Sequence, residues 1–158
     1  MRIDFDSENH TYQIDGVPVP SVSDILRPMT AIHYGEIDKF TLQKAQERGT
    51  RVHELCELLD YDALDDGEIE PDLLPYVSAY KTFKRDYRVR EWRACERIVG
   101  CPELELAGTI DREGEIDGRL CLLDIKTSSA VNKLTLTAQL TAYGKILHSY
   151  HDLYGLQL

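Results

Sequence analysis

The stretch Arg119-Leu120-Cys121-Leu122-Leu123-Asp124-Ile125-Lys126 decides the fold. Its near-continuous apolar run from Leu120 to Leu123 is the texture of a central strand covered on both faces. Side chains alternate along a strand, so Asp124 and Lys126 project to one side while Leu123 and Ile125 project to the other. A carboxylate and an ammonium placed there need partners, because burying an isolated charge is costly. Those partners have to come from neighbouring strands and helices.

The preceding segment supplies one. Asp117-Gly118 has hairpin chemistry, and antiparallel pairing through it brings Gly108-Thr109-Ile110-Asp111 alongside, with Asp111 near Asp124. Two carboxylates facing one site repel unless one is protonated or a cation lies between them, and hard oxygen ligands with room for water favour Mg²⁺ or Mn²⁺. Gly108 leaves space beside that site. Three β-type stretches near residues 89–99, 105–113 and 119–127 predict an antiparallel meander. After them Leu136, Leu140, Tyr143, Ile146 and Leu147 share one side of a helix over residues 134–150, and 152–158 reads as a closing strand.

Before the meander, Arg2-Ile3-Asp4-Phe5 and Thr11-Tyr12-Gln13-Ile14 alternate apolar and polar residues, with Asp15-Gly16 as turn chemistry, and predict a small β-ribbon. Ser21 and Ser23 are suitable N-caps for a short helix through Asp24-Ile25-Leu26 that Pro28 stops. Phe40, Leu42, Ala45, Val52, Leu55 and Leu59 recur at helical spacing and predict a long helix from Glu36 to Leu59. The acidic stretch 61–70 separates it from a second helix opening at Pro71 and running through Tyr76, Tyr80 and Phe83. The expected architecture is one α/β domain over 1–158. It comprises a ribbon and short helix (1–30), a helical part carrying His53 (35–89) and a mixed sheet with its last helix (90–158).

At 158 residues the chain suits one core. Its 42% hydrophobic and 29% charged residues are those of a globular protein rather than a disordered one. No apolar run approaches the roughly 20 residues that cross a bilayer, and the first residues lack the pattern of a signal peptide, so an intracellular, non-membrane protein is expected. The four cysteines form no CxxC pair and are read as reduced, mostly buried thiols. A net charge of −10 excludes gripping nucleic acid through a broad positive field. Any such contact must be local.

The order Gly108-Thr109-Ile110-Asp111, then Asp124-Ile125-Lys126, resembles the core signature of the PD-(D/E)XK nuclease superfamily. Arg48-Gly49-Thr50-Arg51-Val52-His53-Glu54 resembles the G-x-x-x-H helix of its RecB-like, phage-type exonuclease branch, and Gln139-Leu140-Thr141-Ala142-Tyr143 its Q-x-x-x-Y helix. His10-Thr11-Tyr12 through Val19-Pro20-Ser21-Val22-Ser23-Asp24-Ile25-Leu26 looks like the opening of phage-type members, so the likeness spans about residues 10–147. It implies a restriction-endonuclease-like core and a metal-dependent DNA exonuclease of phage or mobile-element type, in the cytoplasm of a bacterial or phage-infected cell.

On that resemblance Asp111, Asp124 and Lys126 are catalytic. Mg²⁺ or Mn²⁺ is held by Asp111, Asp124, His53, the Ile125 backbone carbonyl and Glu96, with Glu103, Glu105 and Glu113 competing for the place of Glu96. Lys126 orients or deprotonates the attacking water, or stabilises developing charge. Gln139 and Tyr143 hold Lys126 or the phosphate in register, while Arg48, Arg51, Lys133 and Lys145 are candidate backbone contacts. Some relatives carry an iron–sulfur cluster on one upstream Cys and three after the last helix. No Cys follows Cys121, so none is expected here. The partner implied is single- or double-stranded DNA, with a homo-oligomer or partner subunit keeping an acidic chain on its substrate. The competing readings are a catalytically silent nuclease-fold module binding nucleic acid or protein, and an unrelated α/β interaction protein.

Overall fold

The computed structural model describes residues 1–34, 37–128, 131–148 and 152–158. Glu36 and Tyr150, the expected ends of two helices, lie outside them. The first strands, β1 (Ile3–Asp6), β2 (Thr11–Ile14) and β3 (Val17–Val19), form an antiparallel three-stranded sheet. Helices α1 (Val22–Tyr34), α2 (Lys39–Asp60) and α3 (Leu74–Asp86) follow, with a short 3₁₀ turn over Asp66–Glu68. The main sheet is mixed, in the order β4 (Trp92–Cys101), β5 (Leu106–Ile116), β6 (Arg119–Lys126) and β7 (Asp152–Gln157). Between its last two strands runs α4 (Lys133–Ile146). β4, β5 and β6 are antiparallel neighbours, and β7 runs parallel to β6.

The hairpin at Asp117-Gly118 forms as its residues dictate, with φ of 50° and 78°, the two positive values that a twist-matched two-residue turn needs. Strand β6 is buried on both faces. Cys121, Leu123 and Ile125 join Val52, Leu55, Val77 and Tyr80 of α2 and α3 in one core. Leu122 joins Val22 of α1 and Leu140, Tyr143 and Ile146 of α4 in the other. The sheet is thus sandwiched between two helical layers.

Besides α2 opening at Lys39 on its Asp38 cap and α4 ending at Ile146, two helix boundaries differ from expectation. Pro28 lies inside α1 rather than ending it. A mid-helix proline costs about 3 kcal/mol, but here the N-terminus is firmly capped. Ser21 Oγ accepts from Asp24 N at 3.0 Å while the Asp24 carboxylate accepts from Ser21 N at 3.1 Å, the reciprocal capping pattern. Val22 is fully buried and Leu26 packs on the α4-side core. The second difference is that α3 opens at Leu74 with Pro75 in its first turn. Pro71 sits in the preceding turn, closed by Leu73 N donating to Glu70 O at 2.9 Å. No helix among the described residues is long and apolar enough to cross a membrane.

Candidate metal centre

The site lies where β5 and β6 part. Their ladder runs from Ile116↔Arg119 to Arg112↔Leu123 and stops one pair short of Asp111 and Asp124. At that point the Asp111 carboxylate takes over from the strand, with Oδ2 accepting from Ile125 N at 2.6 Å. Ile110 belongs to the α4-side core, whereas Arg112 and Ile116 face α2 and α3. In a regular strand these even positions share one face. The strand therefore changes side at Asp111. Opposite it, Glu96 adopts a left-handed backbone with φ of 46°, a costly conformation for a residue with a Cβ and one that recurs at functional sites.

His53 projects from α2 into this gap. Its Nδ1 lies 3.2 Å from Glu96 Oε1, and its Nε2 lies 3.1 Å from the Ile125 carbonyl and 3.7 Å from Asp111 Oδ2. One ligand atom from each of His53, Glu96 and Asp111 falls within 4.8 Å of the others. Asp124 stands on the adjoining wall, with Oδ2 paired to Lys126 Nζ at 2.7 Å and Oδ1 accepting from Gln139 Nε2 at 2.8 Å. Tyr143, one helical turn on, packs its ring edge against Gly108. A Cβ at Gly108 would lie 2.8 Å from Tyr143 Cε1, so this glycine admits the tyrosine rather than leaving open space.

The charges are strongly coupled. Burial, then the neighbouring Asp124 carboxylate, push Asp111 up to about 7, against the pull of His53 and Lys126. Burial draws His53 down, but Asp111 and Glu96 outweigh it and hold the imidazole up at about 9. Burial likewise opposes ionisation of Glu96, yet His53 and Arg112 keep its pKa below the ordinary value. These neighbours favour the imidazolium form, whose ring nitrogens face Glu96 on one side and the Ile125 carbonyl and Asp111 on the other.

Behind the site runs a polar chain without a sequence signature. Arg112, completely buried, donates from Nη1 to Glu96 Oε1 at 2.9 Å and to the Asp111 carbonyl at 2.6 Å. Its Nε donates to Asp60 Oδ2 at 2.7 Å. Asp60 also accepts from Tyr80 Oη at 2.8 Å and Lys84 Nζ at 2.6 Å, and Trp92 Nε1 donates to that tyrosine at 2.8 Å. A fully buried arginine requires an acid. The acid comes from the far end of α2, which spacing does not reveal.

Among the other expected residues, Arg48 donates to the Thr127 carbonyl at 3.3 Å, just past β6. Arg51 pairs with Glu70 at 2.8 Å and with Glu54 of α2 at 3.1 Å. Lys133 opens α4, and Lys145 lies about 18 Å further along that helix at 1.5 Å per residue. Of the competing glutamates, Glu113 pairs with Arg97 and Glu103 bonds to Cys101. All four cysteines are free thiols, three of them buried.

A cavity of about 180 Å³ opens over Asp111, Asp124, Lys126, Gln139 and Tyr143. It shares Lys126 and Gln139 with one of about 370 Å³ between α1 and α4, and Glu96 with one of about 360 Å³ beside His53. His10, from the turn after β1, lines all three. No family model matches this chain, and no curated protein matches it either.

Proposed function

We propose that this chain is a Mg²⁺- or Mn²⁺-dependent nuclease of the PD-(D/E)XK superfamily, of the RecB-like, phage-type exonuclease branch, acting on DNA. The observation that carries the reading is the convergence of His53, Glu96, Asp111 and the Ile125 carbonyl beside the Asp124–Lys126 pair. The donor set fits a hard divalent ion. Asp111 is a buried carboxylate whose ionisation is opposed by burial and by Asp124, and a cation among these groups relieves both penalties. Asp111, Asp124, Glu96, the His53 imidazole and the Ile125 carbonyl would hold it. When bound, such an ion supplies Lewis acidity toward the phosphate and makes water more acidic.

The remaining chemistry belongs to the chain. In hydrolysis a water oxygen forms a bond to phosphorus, the phosphorus–ester oxygen bond breaks, and the departing oxygen gains a proton. Lys126, held at Asp124, is one-third exposed at the mouth of the cavity. It orients the attacking water or balances charge on the phosphate oxygens. Gln139 fixes the Asp124 carboxylate, and Tyr143 packs behind Gly108. The linked cavities give a strand a path past Lys126, where contact is local despite the acidic whole. A homo-oligomer or partner subunit would hold the substrate there.

The test is incubation of the chain with end-labelled linear duplex and single-stranded DNA and Mg²⁺ or Mn²⁺, alongside Asp124→Ala and Lys126→Ala. Metal-dependent cleavage that both substitutions abolish supports the reading. Equal cleavage by parent and variants overturns the mechanism, and metal and DNA binding without cleavage by the parent assigns a silent nuclease-fold module instead.

A further inference from the structure

A second cluster of metal-ligating side chains lies away from the Asp124 cavity. Cys101 ends β4, Glu103 lies in the turn to β5, and His148 follows the C-cap of α4. Cys101 Sγ is 3.2 Å from Glu103 Oε2 and 3.6 Å from His148 Nε2. Ligand atoms of all three fall within 4.8 Å of one another. Two parts of the fold, the β4–β5 turn and the end of α4, thus deliver a thiol, a carboxylate and an imidazole to one point.

We propose that Cys101, Glu103 and His148 bind one Zn²⁺ ion, at a site separate from the hard-cation centre. Around tetrahedral zinc, bonds of about 2.3 Å to sulfur and about 2.0–2.1 Å to nitrogen place those two atoms about 3.6 Å apart. Sulfur and nitrogen already stand at that separation. The thiol–carboxylate spacing of 3.2 Å is shorter than the roughly 3.5 Å of an ideal tetrahedral edge by a few tenths of an ångström, which the exposed Glu103 side chain can take up. Water completes the fourth position.

The donor chemistry selects the metal. A thiolate and an imidazole suit zinc, whereas Mg²⁺ and Mn²⁺ prefer the oxygen-rich set at Asp111 and Asp124. Backbone geometry favours the same assembly. His148 occupies the left-handed position after the helix, with φ of 49°, a place where glycine is least costly. There its imidazole meets Cys101. Among the described residues no other thiol belongs to such a group. Burial pushes Cys56 up to about 12 and Cys95 up to about 11, which keeps both protonated at neutral pH.

Binding displaces the Cys101 thiol proton, now shared with Glu103, to solvent. The ion then ties the β4–β5 turn to the end of α4, the helix carrying Gln139 and Tyr143. Zinc occupancy is a clamp on that helix, independent of whether the chain cleaves DNA.

The test titrates the metal-free, reduced full chain with Co²⁺ as a spectroscopic stand-in, followed by Zn²⁺ competition, with circular dichroism as the check on folding. Thiolate-to-cobalt charge-transfer absorption is expected, with an intensity corresponding to one cobalt–thiolate site per chain, and Zn²⁺ abolishes it. Cys101→Ser eliminates the band, and His148→Ala, at an exposed position that spares the core, weakens affinity by at least about 100-fold. Cys95→Ser and Asp124→Ala leave the band intact. Absence of the band in the parent, its survival in Cys101→Ser, or unchanged affinity in His148→Ala overturns the proposal.

Discussion

The two halves of β5 behave differently. From Arg112 to Ile116 the strand is paired with β6, and as far as Gly114 also with β4, so its backbone groups serve the ladder. From Leu106 to Ile110 it keeps β4, and among the described residues its other edge meets a single bridge, from Ser21 to Ala107. The paired half is scaffold. The unpaired half leaves a gap that side chains fill, with Asp111 serving the Ile125 N–H and His53 the Ile125 carbonyl. Buried backbone groups must find partners. Here their partners are ionisable, and the end of the ladder is where the proposed cation would sit.

The strongest way to break the comparison is to empty the gap. Asp111→Ala or Asp124→Ala is expected to lower DNA cleavage by about 1,000-fold or more, since metal-assisted charge stabilisation is worth several kcal/mol and each 1.36 kcal/mol is tenfold. Single-turnover assays on folded variants check this. Next in size is the support behind the gap. Arg112→Met takes one cation from Asp60, which is only 2% exposed but keeps Lys84 and Tyr80, and removes the donors to Glu96 and the Asp111 carbonyl, and is expected to cost about 1–3 kcal/mol in denaturant unfolding. Arg112→Met with Asp60→Leu should recover part of that loss.

Glycines at the two sides of the gap sharpen the contrast. Gly108→Ala drives a Cβ into Tyr143, which is buried, and is expected to cost about 1–3 kcal/mol with a loss of cleavage. Gly49→Ala meets only Thr127 Oγ1 at an ordinary 3.5 Å and should be tolerated.

The pH dependence of the metal-free chain has a defined sign. Asp111 and His53 are both shifted upward, to about 7 and about 9, so the folded chain keeps protons that the unfolded chain releases. The stability tied to Asp111 is complete below its ordinary value of 3.8 and fades as pH rises toward 7. That tied to His53 is complete below 6.5 and fades toward 9. Melting temperatures should therefore fall across that window relative to Asp111→Asn, whose acid-side slope is flatter. Arg51→Ala, which removes solvent-screened ion pairs to Glu54 and Glu70, should leave the melting temperature nearly unchanged.

Local signals in the sequence were legible because their physics is local. The apolar run of β6, the Asp117-Gly118 turn and the Ser21 cap each depend on neighbours a few residues away. Asp124 beside Lys126 follows from strand alternation alone. Pro28 defeats such reasoning because its penalty is offset by α1 packing on α4, a long-range contact. Arg112 carries no periodic mark, and its acid lies 52 residues earlier in the chain. The change of side at Asp111 is equally invisible, since strict alternation assigns Ile110 and Arg112 to one face. Arg51, read as a phosphate contact beside His53, turns to acids on α2 and before α3 that composition alone does not place.

The most direct measurement is a calorimetric Mn²⁺ titration at pH 7 in two buffers of different ionisation enthalpy, with Asp111→Ala in parallel. An ion entering the gap must take His53 neutral and Asp111 ionised, so binding should release protons and the heats should differ between buffers. Asp111→Ala should abolish that binding. Heats independent of buffer, or a titration that Asp111→Ala leaves unchanged, would contradict a metal centre built where β5 and β6 separate.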